Sequence, residues 1–385
     1  MVDLYGQYLK IKQEIDTALL NAVSAAEYIN GSEVGAFQKE LEQYTGSAHV
    51  IPCGNCTDAL QIALMSLELK PGDEVIVPAF TYAAAAEVIG LLKLRPVMVD
   101  VDYDSFNITV KNIEKGFSSK TKAIIPVHLF GQICDMEEIM NFANTHNLYV
   151  IEDNAQTLGA CYTFSDGRKK QAGTVGHIGC TSFFPTKNLG CFGDGGAMMT
   201  GDEERAKKLL MIARHGQSER YRHDILGCNS RLDTVQAAIL RVKLKYLDQY
   251  CKARQKAAHL YSSLLQEVEE IILPKEMPYS THVYHQYTIK IKKPEQRDQL
   301  KAYLQEKGVP SVIYYPLPLH QQKAFKSIMR QAEKLKSATA LSASALSLPM
   351  HTELQEEEQA YITGQIKQFF AQKSRIKQGN NKKNI

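Results

Sequence analysis

The chain has 385 residues, of which 44% are hydrophobic and 23% are charged, and its formal net charge at pH 7 is +3. This length allows a large buried core and predicts two or three domains. The small charge gives no reason to expect nucleic-acid binding, and no segment approaches the roughly 20 consecutive apolar residues that cross a bilayer.

The compartment is indicated by the N-terminus and by the cysteines. The first residues lack a basic stretch followed by an apolar one, so no signal peptide is expected. The eight cysteines follow no disulfide-framework spacing, which suits reduced thiols. We therefore expect a cytoplasmic protein with no membrane partner.

The first three-fifths of the chain has the pattern of an α/β domain. Helices are predicted over residues 8–26 and 33–44, and from residue 48 onward short Val/Ile-rich runs alternate with helical stretches. The later strands are predicted at 74–77, 96–101, 122–127, 148–152 and 180–184, and the later helices at 59–69, 82–92, 136–145, 203–213 and 232–254. This alternation is typical of βαβ crossovers and predicts a mainly parallel sheet covered on both faces.

The pattern changes near residue 250, where a long charged helix begins. Strands at 287–291 and 311–315 and helices at 296–307 and 355–370 predict a smaller α+β domain. We therefore predict a large domain over residues 1–250, with its N-terminal segment packing on the small domain, and a small domain over 251–372. Residues 373–385 are basic and aperiodic, and a disordered tail is favoured over a nucleic-acid-binding arm. The cleft between two domains is the expected place for a small-molecule site.

The first candidate site is the turn Cys53-Gly54-Asn55-Cys56-Thr57, which joins a predicted strand at 48–52 to a helix. Free N–H groups at a helix start, together with the helix dipole, form a seat for a phosphate. Capping roles for Asn55 and Thr57 are nearly as well supported when the turn is considered alone. No second cysteine pair or suitably spaced histidines accompany Cys53 and Cys56, so no metal site is expected, and a redox role is less favoured.

Asp153 is the second candidate, at the carboxyl end of the predicted strand 148–152. Ligands of open parallel sheets collect at this end of the strands. A carboxylate in that place could hold the protonated pyridine nitrogen of pyridoxal phosphate (PLP), which the cofactor needs to act as an electron sink. The simpler alternative is an N-cap for the next segment.

Lys187 is the third candidate, between the apolar run Phe183-Phe184-Pro185 and the glycine-rich turn at 193–196. Burying an ammonium group costs several kcal/mol unless it is paired, so a desolvated lysine tends to lose its proton. The neutral amine is a nucleophile that forms Schiff bases with carbonyl groups. A surface lysine at a strand end is the alternative when Lys187 is considered alone. The phosphate turn, Asp153 and Lys187 all require the same ligand, and together they indicate PLP.

With these motifs the chain resembles nucleotide-sugar aminotransferases of the DegT/DnrJ/StrS family, which are aspartate-aminotransferase-like (fold type I) PLP enzymes. The resemblance runs from about residue 4 to about residue 370. It is also carried by the segments Val77-Pro78-Ala79-Phe80-Thr81-Tyr82, Pro126-Val127-His128-Leu129-Phe130-Gly131, Arg214-His215-Gly216, Gly227-Cys228-Asn229-Ser230-Arg231-Leu232 and Tyr315-Pro316-Leu317-Pro318-Leu319-His320. It implies a large PLP-binding domain followed by a smaller one.

The resemblance implies a role for each residue around the cofactor ring. Lys187 would bond covalently to the cofactor and then carry the proton during amino transfer. Asp153 would pair with the pyridine nitrogen, and Gln156 would contact the ring hydroxyl. Tyr82 would stack on the face of the ring.

The phosphate and the substrate would be held by residues from several separate segments of the chain. Ser182 would bind the phosphate beside Asn55, Cys56 and Thr57, and Asn229 would reach it from the other subunit of a homodimer. Arg231, Tyr314, Tyr315 and His320 are candidates for contacts to the sugar or the nucleotide, although each could be structural instead. His128 and His285 are more often core residues than ligands.

Two positions depart from the family pattern. Cys56 stands where the family usually has glycine, and we expect a helix-compatible conformation there, with Gly54 absorbing the bend. Tyr314 stands where relatives acting on uronic-acid sugars often have histidine, which weakens any assignment of the sugar.

The implied reaction transfers an amino group from glutamate to a keto group of a nucleotide-linked sugar. Residues 182–198 most resemble enzymes that aminate C3 of UDP-2-acetamido-3-oxo sugars, including the glucuronic acid form, for surface polysaccharide such as lipopolysaccharide. A dTDP-3-keto-6-deoxy sugar, a 4-keto sugar and a non-catalytic regulatory protein of the same fold remain alternatives. Lys187 argues against a sugar dehydratase, which has histidine there, and no Gly-x-Gly-x-x-Gly motif supports a dinucleotide enzyme.

Overall fold

A computed structural model describes the backbone of residues 1–381 and the side chains of residues 1–373. The helices are α1 (Leu4–Lys10), α2 (Lys12–Ala25), α3 (Ser32–Thr45), α4 (Cys56–Ser66), α5 (Ala84–Leu91), α6 (Val110–Gly116), α7 (Met136–Thr145), α8 (Glu203–Ala213), α9 (Thr234–Leu244), α10 (Leu247–Leu265), α11 (Glu295–Glu306), α12 (Lys336–Ser344) and α13 (Glu356–Asn381). Short 3-10 helices lie at Leu129–Gly131, Leu319–Gln321 and Lys323–Phe325.

The strands are β1 (His49–Cys53), β2 (Glu74–Pro78), β3 (Arg95–Val99), β4 (Thr121–Ile124), β5 (Tyr149–Asp153), β6 (Cys161–Thr163), β7 (Lys169–Gln171), β8 (Ile178–Ser182), β9 (Gly196–Thr200), β10 (Gln217–Glu219), β11 (Arg222–His223), β12 (Ile271–Ile272), β13 (Tyr287–Ile291), β14 (Arg330–Gln331) and β15 (Ala345–Leu348).

A large mixed sheet forms the centre of the fold, in the order β1-β9-β8-β5-β4-β2-β3-β14. The strands from β8 to β14 along this order pair in parallel, whereas β9 runs antiparallel to both β1 and β8. Every residue of β2, β8 and β9 is buried, which requires cover on both faces of the sheet. The predicted α/β architecture with a mainly parallel sheet is confirmed.

The buried apolar side chains form two principal clusters. The larger one surrounds the central sheet, and the smaller one lies between α10, α11, α13 and the antiparallel sheet β12-β13-β15. Helix α10 contributes to both, through Cys251 near its start and Tyr261 further on. The division into a large domain over 1–250 and a small one over 251–372 stays a proposal, since residues between 319 and 345 also contribute to the cluster around the central sheet.

The N-terminal segment contacts both parts of the chain. Ile11 and Ile15, at the start of α2, pack against Ile239 and Val242 of α9. In α1, the amide of Gln7 donates to the hydroxyl of Thr352 at 3.2 Å. The segment therefore contacts both α9 and the region that follows β15.

The C-terminal region differs from the prediction in several places, which include the unpredicted helix α12 and strands β12, β14 and β15. Residues 311–315 form no strand, because only Val312 pairs there, in an isolated bridge with Ser347. Helix α13 continues to Asn381, across much of the tail for which we expected no regular structure. Residues 382–385 lie outside the described part of the chain. No helix within the described part is long and apolar enough to cross a membrane.

Strand β14 brings the C-terminal region back to the edge of the central sheet. Arg330 donates from Nε and Nη2 to the two carboxylate oxygens of buried Glu74, each at 2.9 Å. The hydroxyl of Ser118 donates to the same carboxylate at 2.6 Å. Burial alone raises the pKa of Glu74, but the hydrogen bonds from Arg330 and Ser118 outweigh it and lower the pKa below its ordinary value.

We predict that Arg330→Ala lowers the free energy of unfolding at pH 7 by about 3 kcal/mol, because it leaves a buried carboxylate without its cation. A carboxyl group with a lowered folded-state pKa stabilises above its unfolded pKa, so the difference from the parent should shrink as pH falls below 4.5. Urea unfolding at pH 7 and pH 4 measures both effects. The control is Arg168→Ala, which removes an exposed pair with Asp166 and should cost less than about 1 kcal/mol. Equal losses in the two variants would contradict the prediction.

Candidate functional site

The turn after β1 has two N–H groups available for an anion. Asn55 is the N-cap of α4, and its Oδ1 accepts the N–H of Asp58 at 2.8 Å. The N–H groups of Cys56 and Thr57 have no acceptor among the described residues. They are the unpaired donors of a helix start, where the helix dipole also favours negative charge.

Cys56 fits this turn without backbone strain. It is the first residue of α4 and does not have a positive φ. Gly54 does not have a positive φ either, so it does not absorb the bend in the way that we expected. Its N–H instead donates to Oγ of Ser230 at 2.9 Å, and an added Cβ would lie 3.1 Å from the Asp58 carboxylate. Close packing therefore explains this glycine.

Gly196 closes the other side of the turn. It begins β9 and pairs with Cys53 on one side and with Ser182 on the other. An added Cβ would lie 2.5 Å from the carbonyl carbon of Asn55 and 2.8 Å from the nitrogen of Cys56. Only glycine permits this approach, which brings Ser182 of β8 beside the turn.

Asp153 ends β5, one strand further along the sheet, and is 8% exposed. Its Oδ1 accepts the N–H of Ala155 at 3.1 Å and lies 4.0 Å from Sγ of Cys56, within reach of an S–H hydrogen bond. Its Oδ2 has no hydrogen-bond partner among the described residues. Burial raises the pKa of Asp153, while the Ala155 N–H and the nearby Lys187 oppose the rise.

Lys187 lies in the loop between β8 and β9. The loop is held by hydrogen bonds from Lys187 N to Phe184 O and from Cys191 N to Phe183 O, both at 2.8 Å. The amine of Lys187 has no ion-pair or hydrogen-bond partner in the described part of the chain. Burial lowers its pKa, whereas the Asp153 carboxylate opposes this shift. The environment therefore increases the fraction of neutral, nucleophilic amine at a given pH.

Four further predicted residues form a polar and aromatic wall. Oε1 of Gln156 accepts the N–H of Phe130 at 2.7 Å, and its Nε2 lies 3.4 Å from the hydroxyl of Tyr315. The rings of Tyr315 and Tyr82 are 6.5 Å apart, and Tyr82 is 63% exposed. Burial raises the pKa of Tyr315, so its hydroxyl stays protonated. Tyr314 packs against Tyr315 with ring centroids 5.8 Å apart.

The remaining predicted residues are not joined to this group by hydrogen bonds. Asn229 is exposed, and its backbone pairs with Arg214 in an isolated bridge. Arg231 is half-buried and has no side-chain partner among the described residues. Nδ1 of His320 also lacks a partner there, and burial lowers the pKa of this histidine.

The structure distinguishes the two histidines whose roles were open. Nε2 of His128 pairs with Glu152 at 2.8 Å and Nδ1 accepts the N–H of Cys134, so this side chain is a satisfied core residue. His285 is buried with Nδ1 unpartnered, and burial and the nearby Lys187 hold its pKa well below the ordinary value. Ser230, which binds both Gly54 and Asp58, was not predicted, because nothing in its sequence context distinguishes it.

The described residues contain neither a cluster suited to a metal ion nor a disulfide bond. No cluster of three or more His, Cys, Asp and Glu side chains within the described residues is arranged to hold a metal ion. All eight cysteines lie in the described range and are free.

Comparison with known proteins identifies the family. Residues 9–367 match the DegT/DnrJ/EryC1/StrS aminotransferase family. The chain belongs to this family. A pleiotropic regulatory protein of Geobacillus stearothermophilus is 44% identical over 96% of this chain and 98% of its own. The UDP-2-acetamido-2-deoxy-3-oxo-D-glucuronate aminotransferase of Pseudomonas aeruginosa is 41% identical over 91% of this chain and 94% of its own.

Solved structures agree with the fold and the cofactor. The crystal structure of a DegT DnrJ EryC1 StrS aminotransferase from Brucella abortus is 41% identical, with a TM-score of 0.90 over 96% of this chain and 98% of that chain. The structure of ntda from Bacillus subtilis with bound cofactor PMP is 31% identical, with a TM-score of 0.85 over 94% of this chain and 82% of that chain. The predicted family, fold class, aminotransferase activity and PLP cofactor are confirmed.

We predict that Gly196→Ala weakens the affinity of the apo-aminotransferase for PLP by at least about tenfold, because the added methyl group must displace Asn55 and Cys56. Equilibrium titration followed by cofactor absorbance measures this. Gly35→Ala is the matched control, since a Cβ there meets nothing within 4 Å and the residue lies inside α3. It should leave PLP affinity unchanged and stabilise by about 0.5–1 kcal/mol. Equal affinities in the two variants would exclude the proposed steric effect.

Proposed function

We propose that Lys187 bonds covalently to PLP and then carries the proton during amino transfer. The observation that supports this most is its amine, which is desolvated, has no partner among the described side chains and lies near the buried carboxylate of Asp153. When bound, PLP supplies the electron sink for the transfer. Oδ1 of Asp153 already accepts a hydrogen bond, whereas Oδ2 has no partner among the described residues. Oδ2 is therefore suited to pair with a protonated ring nitrogen.

The same proposal assigns the surrounding residues. The N–H groups of Cys56 and Thr57 in the turn capped by Asn55, with the hydroxyl of Ser182, bind the phosphate. Gln156 contacts the ring hydroxyl, and Tyr82 stacks on the ring. Much of the Tyr82 side chain is exposed, so its ring face is free to stack on the cofactor ring.

We infer that the amino acceptor is a nucleotide-linked keto sugar and that glutamate is the donor. The P. aeruginosa relative is named for a UDP-linked 3-oxo-glucuronate, and a relative from Acidithiobacillus ferrooxidans, 43% identical, is named for 3-amino transfer to UDP-N-acetyl-3-dehydro-glucosamine. We therefore place C3 of a UDP-2-acetamido-3-oxo sugar first, with surface polysaccharide such as lipopolysaccharide as the product's destination. We assign contacts with the sugar and the nucleotide to Arg231, Tyr314, Tyr315 and His320. A cytoplasmic location remains a prediction.

Two alternatives are supported by other relatives. A dTDP-3-amino-3,4,6-trideoxy-glucose transaminase of Streptomyces venezuelae is 34% identical, which keeps a dTDP-linked 3-keto or 4-keto sugar open. The G. stearothermophilus relative is named a pleiotropic regulatory protein, which keeps a regulatory role open for this chain. Turnover of a nucleotide sugar by the purified protein would distinguish an enzyme from a purely regulatory protein.

The test offers glutamate with UDP- and dTDP-linked 3-keto and 4-keto sugars and measures 2-oxoglutarate. We predict fastest turnover with a UDP-2-acetamido-3-oxo sugar and none with Lys187→Ala, because that variant lacks the nucleophile. After borohydride reduction, the parent peptide that contains residue 187 should carry the mass of the cofactor. Lys111→Ala, a change at an exposed lysine on α6, is the control and should match the parent. Parent-level turnover by Lys187→Ala would refute the assignment, and no turnover with any sugar would favour the regulatory alternative.

We also propose a homodimer in which Asn229 of each subunit binds the phosphate of the other. Large apolar side chains are exposed in or beside the segments that carry the predicted site, among them Tyr82, Phe184, Phe192 and Leu226. Exposed apolar surface of this kind is typical of protein interfaces when it is contiguous. Asn229 is exposed in the single chain and has no bond to its own phosphate turn, which suits a role in the partner's site.

Subunit complementation tests the shared site. We predict that Lys187→Ala and Asn229→Ala homodimers are each impaired, whereas mixed dimers of the two variants regain one complete site. Random mixing makes half of the dimers mixed, so activity should reach about a quarter of the parent value. Purified co-expressed protein and its mass by light scattering provide the measurement. If the mixture shows only the average of the two homodimer activities, Asn229 does not act across the interface.

A further inference from the structure

The two oxygens of the Asp153 carboxylate have different surroundings. Oδ1 accepts the N–H of Ala155 at 3.1 Å and lies 4.0 Å from Sγ of Cys56, the geometry of a weak S–H hydrogen bond. Oδ2 has no described partner. A main-chain N–H and a thiol therefore both hold the carboxylate through Oδ1, and Oδ2 is left for a ligand.

Cys56 has little freedom to leave this position. It is 8% exposed and begins α4, directly after the N-cap Asn55. Gly196 approaches its backbone so closely that an added Cβ would lie 2.8 Å from its nitrogen. The cap on one side and the strand on the other fix the backbone that carries the thiol.

The thiol is available as a donor because it remains protonated. A helix start ordinarily favours a thiolate. Here burial raises the pKa of Cys56 well above its ordinary value, and the neighbouring Asp153 carboxylate adds to the shift. A neutral S–H donates to the carboxylate, whereas a thiolate would repel it.

We propose that Cys56 is a positioning residue for Asp153, whose Oδ1 it holds together with the Ala155 N–H so that Oδ2 is directed to the ring nitrogen of PLP. This inference rests on the proposed function, in which Asp153 pairs with that nitrogen. The donor to Oδ1 also favours the ionised carboxylate, against the effect of its burial. Cys56 thereby has a role in the ring end of the site as well as in the phosphate turn.

The test measures the dissociation constant of PLP from apo-protein in a double-mutant cycle. We expect Cys56→Ala to weaken binding about two- to tenfold, which is the range for loss of one weak hydrogen bond. In the Asp153→Asn background the same change should have no further effect, because the pairing that it supports is already altered. A second readout is the pH midpoint of the visible absorption of bound PLP, which should shift in Cys56→Ala.

The cofactor side is tested with an analogue whose ring nitrogen is replaced by carbon, 1-deazapyridoxal phosphate. If Cys56 acts through Asp153 and the ring nitrogen, the parent and Cys56→Ala should bind the analogue equally well. A thiol that only supports the phosphate turn would weaken both cofactors by the same factor, and that result would overturn the proposal. So would an unchanged PLP affinity in Cys56→Ala.

The control variant is Cys180→Ala. Cys180 is fully buried and pairs with Asp153 across β5 and β8, but its thiol makes no hydrogen bond to that carboxylate. Cys180→Ala should retain the PLP affinity of the parent, and a loss equal to that of Cys56→Ala would count against a specific role for Cys56.

If the parent itself fails to bind PLP at Lys187, the proposed function fails. If the parent binds and only the Cys56 pattern is absent, the failure belongs to this inference alone.

Discussion

Desolvation of the Asp153 carboxylate and of the Lys187 amine in one site, without an ion pair between them, is the constraint on which the rest of the site depends. Desolvation raises the pKa of the carboxyl group and lowers that of the amine, and their mutual attraction offsets this only in part. Ionisable groups that are desolvated without a full set of partners are costly, and they occur mainly where a ligand completes them. A bound group with a protonated ring nitrogen and an aldehyde would satisfy both residues at once.

The order of the strands explains how these residues come together. β5 and β8 are neighbours, and the antiparallel β9 lies between β8 and β1. Asp153, Ser182 and Cys53 are the last residues of β5, β8 and β1, and Gly196 is the first residue of the antiparallel β9. All four therefore lie at the end of the sheet where its parallel strands terminate. The single antiparallel strand is essential, because its first residue is the glycine that lets the phosphate turn approach β8.

Relatives of this chain are named for different nucleotide sugars. Relatives named for UDP-, dTDP- and GDP-linked sugars are 41%, 34% and 35% identical to this chain. Their names differ in nucleotide and sugar, as expected if a common buried site carries out the amino transfer and more exposed residues select the sugar. Arg231, Tyr314 and His320 are half-buried, and Asn229 is exposed. Contacts with a second subunit and with the substrate would complete this outer region.

The sequence by itself determined the mainly parallel architecture of the large sheet and the turn between β1 and α4, and it singled out Lys187 and Asp153 as candidates for one PLP site. These follow from local patterns: continuous apolar strands, a turn before a helix, and a lysine between aromatic and glycine-rich segments. Only the tertiary structure decided that Cys56 contacts the Asp153 carboxylate, that Gly196 closes the turn, and that β14 returns to the central sheet rather than staying with the small domain. The physical reason is distance along the chain, since each of these contacts joins segments whose own sequences carry no information about their partner.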